Sequence, residues 1–391
     1  MIDIFKDYFL QREELLARIA QELQLDKSRA ERMETAYNSV ADLLKKDNDF
    51  FENLEIEVYA QGSKRIGTTV KPINGEDFDL DIVLHIYDPF FNHTPERIYN
   101  ALVRSLEKDS YYKEIMEKKK RCVRLNYKSD FHMDILPGCM PDLFQREMIK
   151  IPEKALKSWS SGNPKGFSNW FLEIAALAKN PILKRYSDVL LKAQVETEKF
   201  PEEFYLKTPL QRAVQLTKRY RDIYFQRKDY RVSSIVLTTL IAQFYEGEES
   251  IFETLDQVLN RIKNSYLDAI NSRVKFKVIN PVNPEEDFTD SWTNNHYQAF
   301  YAFISDFHKK WNNLKNSFES SKEDYIELFG EGIYKKALSD QSLNFRNSTS
   351  NYLTRSVGLI GAGKALTDTK GKINSNSGQK NESHYNYGGT D

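Results

Sequence analysis

The chain has 391 residues, 40% of them apolar and 13% aromatic, and its 56 Lys and Arg against 57 Asp and Glu leave a formal net charge of −1. So much apolar and aromatic side chain excludes a wholly disordered protein, and the length exceeds one core of ordinary size, so two domains are expected. The balanced charge excludes attachment to nucleic acid or membrane by bulk electrostatics, while leaving room for a local basic cleft.

The N-terminal stretch MIDIFKDYFLQREELL is charged throughout and reads as no signal peptide. Between residues 9 and 46 a long helix, broken once, is predicted. Leu15, Leu16, Ile19 and Leu23 form one apolar stripe. Asp26 can cap a second run through Met33, Tyr37, Val40 and Leu44. Ile56–Ala60 reads as a short strand, 71–75 as a turn, 78–86 as a strong strand and 95–108 as a helix. Residues 122–127 and 131–136 read as a hairpin, its second strand ended by Pro137-Gly138. From about Thr208 the strand signals fade. Residues 210–226, 234–245, 251–264, 295–314 and 322–338 read as helices. Past Gly361 the polar composition predicts a flexible tail. The fold class is therefore α+β, with a mixed-sheet lobe over 1–205, a helical lobe over 206–360 and a tail over 361–391. The two cysteines, Cys122 and Cys139, are too few for a disulfide framework and form no CxxC pair. They read as small apolar residues of a reducing compartment. With no apolar run long enough to span a membrane, a cytoplasmic location is expected.

The strand over 78–86 carries the chemistry. Its side chains alternate faces, so Phe78, Leu80, Ile82 and Leu84 point one way and Asp77, Asp79 and Asp81 the other. Carboxylates on one face repel one another. Either they are solvated on an edge strand or a hard cation such as Mg²⁺ holds them. In 131–136, Met133 and Ile135 share one face while His132, Asp134 and Leu136 share the other. A third carboxylate in the same small sheet completes a set able to hold two Mg²⁺ about 3.5–4 Å apart, as in-line phosphoryl transfer requires. Gln61-Gly62-Ser63 follows the first strand. A Gly-Ser turn lets backbone N–H groups and a hydroxyl approach phosphate oxygens, although the spacing is not that of a P-loop.

The ordered set Gly62-Ser63, Asp79-x-Asp81 and Asp134 resembles the nucleotidyltransferase core of the DNA polymerase β superfamily. The fuller text QGSKRIGTTVKPINGEDFDLDIVL, then FHMDILPG, looks like the cGAS/DncV-like nucleotidyltransferases (CD-NTases), the bacterial cyclic-oligonucleotide synthases of CBASS antiphage systems. RAVQLTKRYRDIYF, RVSSIVLTTLIAQFY and NPVNPEEDFTDSW resemble their helical lobe. The resemblance implies a two-lobed fold with a long N-terminal helix behind both lobes and the active site between them. It implies that Asp79 and Asp81 hold two Mg²⁺ (or Mn²⁺), with Asp134 as third ligand helping to activate the attacking hydroxyl. Gln61, Gly62 and Ser63 would hold the donor triphosphate, and Lys218 and Ser234 would meet it from the far side. Asp77 leaves the register open, and Asp79/Asp81 is preferred because Asp81 runs straight into Ile-Val-Leu. The implied activity joins NTPs, ATP among them, into a cyclic di- or trinucleotide, with release of pyrophosphate and with CBASS accessory or effector proteins as partners. A linear oligonucleotide synthase, a terminal transferase and a non-catalytic regulator are the alternatives. Arg212, Arg219 and Arg221 are expected beside Lys218 across the cleft. Tyr220 and Tyr224 read either as base-stacking or as packing residues. The neutral charge and the lack of a zinc-binding insertion disfavour long double-stranded DNA as a partner.

Overall fold

The computed structural model describes residues 8–75, 77–128, 130–153, 157–179, 181–182 and 207–356, with three further two-residue strands in the C-terminal tail. The N-terminal helix is broken once, into α1 (Tyr8–Glu22) and α2 (Lys27–Lys45). The break falls at Asp26, whose carboxylate accepts the Arg29 N–H at 2.9 Å and starts α2 afresh. The two helices serve different cores. Leu15, Leu16 and Ile19 of α1 enter the core of the helical part of the molecule. Met33, Val40 and Leu44 of α2 enter the core beneath the sheet.

The sheet contains β1 (Ile56–Ala60), β2 (Phe78–Pro89), β3 (Met116–Lys118), β4 (Val123–Tyr127), β5 (Phe131–Met140), β6 (Ile149–Glu153) and β7 (Ser158–Gly162). Its order is β1-β2-β5-β4-β3, with β6 joining β5 and β7 joining β6. Among the described strands of this sheet only β2 and β5 run parallel. Leu80, Ile82 and Leu84 of β2 and Met133 and Ile135 of β5 face a core closed by α2 and by α4 (Pro95–Glu107). That burial supplies most of the sheet's stability, at roughly 25 cal/mol per Å² of apolar surface removed from water. The one-turn helix α3 (Gly62–Arg65) follows β1, α5 (Ser110–Ile115) precedes β3, and α6 (Pro164–Ala175) follows β7.

Pro137-Gly138 does not end its strand as expected. β5 runs on through Pro137-Gly138 because its other side stays paired with β2, Leu84 opposite Pro137 and His85 opposite Gly138, while β4 pairs last at Ile135 and β6 first at Cys139. The hairpin β6–β7 and α6 had no clear sequence signal.

The helical part comprises α7 (Pro209–Tyr224), α8 (Ser234–Gln243), α9 (Ile251–Asn271), α10 (Asn294–Asn313), α11 (Phe318–Phe329) and α12 (Glu331–Ser356). A capping box of Thr208 and Gln211 opens α7. The single helix expected over 322–338 is two helices, because Gly330 takes φ +92, which a helix cannot contain. Strand structure also persists beyond residue 208, in the hairpin β8 (Ile279–Asn280) and β9 (Asn283–Asp287). Tyr220 stacks on Phe303 and donates to Asp306, and Tyr224 packs edge-on against the same Phe303, so both are packing residues. The expected flexible tail lies outside the described residues apart from β10 (Leu366–Thr367), β11 (Ile373–Asn374) and β12 (Gln379–Lys380). Among the described residues no helix is long and apolar enough to cross a membrane. Cys139 is buried, Cys122 is half-buried, and both are free thiols.

One buried carboxylate ties α1 to the helical core. Glu13 accepts the N–H groups of Ile251 and Phe252 at 2.5 and 3.2 Å, at the positive end of α9. Burial outweighs these bonds and the nearby Arg212 and Arg12, and pushes its carboxyl up to about 7. A carboxyl raised above its unfolded value contributes stability that is complete below about pH 4.5 and is lost as pH rises through 7. Glu13→Gln is therefore expected to change the pH slope: the melting temperature of the variant minus that of the wild type should grow between pH 5 and 8. Parallel curves would refute this.

Candidate active site

β1 delivers the chain directly to the strand that carries the acids. The Gln61 N–H donates to the Asp81 carbonyl at 2.9 Å, continuing the β1–β2 ladder, and Gly62 begins α3. Gly62 has φ +59, and a Cβ there would come within 3.0 Å of Asp81 Oδ2. Glycine is required twice over, by backbone conformation and by the approach of the turn to the carboxylate. The Ser63 hydroxyl accepts from the Thr69 hydroxyl at 3.4 Å.

Alternation places Asp79 and Asp81 on the face of β2 opposite the core. In the parallel β2–β5 register Asp81 pairs with Asp134 and Asp79 with His132. The three carboxylates thus occupy adjacent positions on two neighbouring strands, which lie about 4.8 Å apart. Asp79 is exposed, whereas Asp81 is half-buried and its carboxyl is pushed up to about 6. Burial contributes most, followed by repulsion from Asp134 and Asp79. Asp77 lies just ahead of β2 and faces His132 at 3.5 Å, so it is partnered differently from the Asp79/Asp81 pair.

Arg124 was not singled out in the sequence, yet it is the basic partner of these acids. It sits on β4 directly across from Asp134 and grips it with Nε to Oδ1 at 2.7 Å and Nη2 to Oδ2 at 2.8 Å. The same Nη2 lies 3.6 Å from Asp79 Oδ1. Such a forked pair is the strong form of the ion pair. Its only hint was the alternation of Val-Arg-Leu-Asn-Tyr, which puts Arg124 on the acidic face.

Asp79 and Asp81 open onto a cleft of about 680 Å³, whose lining does not include Asp134. Gln61, Gly62, Ser63, Asp77, Asp79 and Asp81 line one wall, and Lys218, Ser234 and the segment around Asn280 and Glu286 line the other. On α7 the cleft face is Lys218, Arg221, Asp222 and Phe225, the spacing of one helix side. Arg212 and Arg219 do not lie across the cleft as expected. Arg212 is buried in the helical part, and Arg219 donates to the Lys71 carbonyl at 3.2 Å. Lys218 is deeply buried, with its ammonium on the Thr68 hydroxyl at 2.9 Å and the Thr68 carbonyl at 3.2 Å. Burial, reinforced by Arg221, brings it down to about 7. Asp222 is held by both Arg221 and Arg231 at 2.5 Å, so this trio carries a net positive charge. Ser234 lines the cleft as the first residue of α8, while its neighbour Ser233 is the N-cap. The lining thus brings carboxylates of the sheet together with Lys218, Arg221 and Arg231 of the helical part, which suits a polyphosphate bridged to carboxylates by cations.

The donor set fits Mg²⁺, a hard cation that takes carboxylate oxygens. Among the described residues, however, no three His, Cys, Asp or Glu side chains already converge to hold an ion. Asp134 is turned toward Arg124. Replacing Arg124 with Met should leave Asp134 free for a cation, and we expect Mn²⁺ affinity without nucleotide, read by electron paramagnetic resonance, to rise several-fold. Unchanged affinity would mean that Arg124 does not compete for Asp134.

Residues 11–174 match the family model described as the second messenger oligonucleotide or dinucleotide synthetase domain. A c-di-GMP synthase of Roseivirga ehrenbergii is 40% identical over 349 residues, covering 88% of this chain and 90% of that protein. A cyclic dinucleotide synthase, CdnG, of Bradyrhizobium diazoefficiens is 24% identical over 402 residues, covering 94% of each chain. The solved structure of the Bradyrhizobium CD-NTase CdnG in complex with GTP superposes with a TM-score of 0.68 at 22% identity, covering 85% of this chain and 98% of that one. The E. coli CdnC structure with ATP superposes with a TM-score of 0.60 at 14% identity, covering 82% and 98%.

Proposed function

The chain belongs to the CD-NTases, nucleotidyltransferases that make cyclic nucleotides, and we propose that it condenses two molecules of GTP into c-di-GMP. The observation that carries this reading is the placing of Asp79, Asp81 and Asp134 at adjacent positions of β2 and β5, with Asp79, Asp81, the Gly62-Ser63 turn and Lys218 lining one cleft. The 40% identical relative is named a c-di-GMP synthase, and on that ground GTP replaces the expected ATP.

In this reading Asp79, Asp81 and Asp134 hold Mg²⁺, whose chemistry is to neutralise charge gathering on the transferred and departing phosphates. Ser63 and the backbone around Gly62 hold the donor's β- and γ-phosphates. Lys218, Ser234 and the Arg221–Asp222–Arg231 trio hold the same phosphates from the opposite wall. Asp134 takes the proton of the acceptor's ribose hydroxyl as that oxygen attacks the donor α-phosphorus. The bond between the α-phosphorus and its bridging oxygen breaks, and pyrophosphate leaves with the electron pair. A second transfer with the two ends exchanged closes the ring. The product serves as a signal in cytoplasmic antiphage defence of the CBASS kind, together with its effector proteins.

The test is to incubate the protein with α-labelled GTP and Mg²⁺. The expected product resists phosphatase, has the mass of c-di-GMP and appears with pyrophosphate. A phosphatase-sensitive product would make the enzyme a linear oligonucleotide synthase, and failure to consume GTP would overturn the reading.

A further inference from the structure

One carboxylate on the helical side of the cleft has no part in the chemistry above. Glu286 lies on β9, across the cleft from the catalytic strand, and lines the cavity. The other cleft carboxylate in the helical part, Asp222, is neutralised by two arginines. Glu286 has no basic partner among the described residues. What it does have is an orienting amide. The Asn280 Nδ2 donates to Glu286 Oε2 at 2.7 Å. Asn280 is itself buried, and its Oδ1 accepts the Val282 N–H at 3.1 Å, which leaves only the NH₂ side to face Glu286. A neutral amide orients the carboxylate and leaves its charge intact.

Two residues further on, Phe288 also lines the cleft, with Phe167 edge-on to it at a centroid distance of 6.4 Å. An anionic acceptor pair beside an aromatic surface is the pattern by which proteins hold a splayed nucleobase: the ring supplies stacking and the polar group reads an edge.

We propose that Glu286, oriented by Asn280 and flanked by Phe288, reads the Watson–Crick edge of guanine, which rests on the reading that GTP is the substrate. Guanine is the base whose edge offers two adjacent donors, N1–H and the 2-amino group, to the two oxygens of one carboxylate. Adenine would turn the N1 lone pair toward the anion. Uracil flanks its one N–H with two carbonyls, and cytosine sets a lone pair beside its amine. The carboxylate therefore selects guanine by attraction and rejects the other bases by repulsion.

The test compares GTP with inosine triphosphate, which lacks only the 2-amino group. Wild type is expected to favour GTP by about tenfold or more in kcat/KM, as befits a charge-assisted hydrogen bond. In Glu286→Ala that ratio should fall toward one, mainly through a higher KM for GTP. Asn280→Ala should give a smaller fall, since it loosens the carboxylate without removing it. Melting temperatures check that each variant is folded. A Glu286→Ala enzyme that keeps the wild-type ratio would overturn the assignment and leave c-di-GMP synthesis standing. A wild type that ignores GTP would overturn the reading beneath it.

Discussion

Asp81→Asn is expected to lower c-di-GMP synthesis by about 10³-fold or more, because it removes a carboxylate from the proposed cation site, on which charge stabilisation would depend. The same change should raise the melting temperature of the metal-free protein. Asp81 is half-buried between Asp79 and Asp134, and both burial and repulsion disfavour its charge. An amide of the same shape removes that cost and can donate to either neighbouring carboxylate. The wild type should gain melting temperature on addition of Mn²⁺, and the variant should gain little. Turnover at the wild-type rate would remove Asp81 from the catalytic set. A marked loss of stability would show that its charge is part of the fold.

Lys218→Met is expected to raise the KM for GTP by about 10–100-fold, the range for a lost hydrogen bond to a charged group. Methionine keeps the apolar stem that packs in α7, so the loss is that of the ammonium. Burial brings Lys218 down to about 7, so near neutral pH a fraction of the free protein carries it uncharged. A triphosphate beside it favours the charged form. GTP binding at pH 7.5 should therefore take up protons, and calorimetry in buffers of different ionisation enthalpy should show this. The uptake should fall in Lys218→Met. Equal uptake in both proteins would place the titration elsewhere.

Much of the site was legible in the order of residues because β-strands alternate. Phe78, Leu80 and Ile82 against Asp79 and Asp81 is a period-two pattern, and the structure buries the first set and turns the second to the cleft. The break at Asp26 was equally local, since a capping carboxylate acts within three residues. Other features were not local. β5 continues through Pro137 because β2 still pairs it at Leu84 after β4 has stopped and before β6 has begun, a fact about three other strands. Gly330 divides a helix where a single glycine in sequence need not, because it adopts positive φ.

By itself the sequence determined the α+β class, the acidic face of the second strand and the Gly-Ser turn, since each depends on neighbours a few residues away. Tertiary structure decided who meets whom across the chain. It set Arg124 opposite Asp134, turned Lys218 and Arg221 to the cleft while directing Arg219 elsewhere, and left Glu286 beside Asn280 and Phe288 without a counter-ion among the described residues. Charge pairing depends on distance in space, and for these residues only strand register and helix phase supply it.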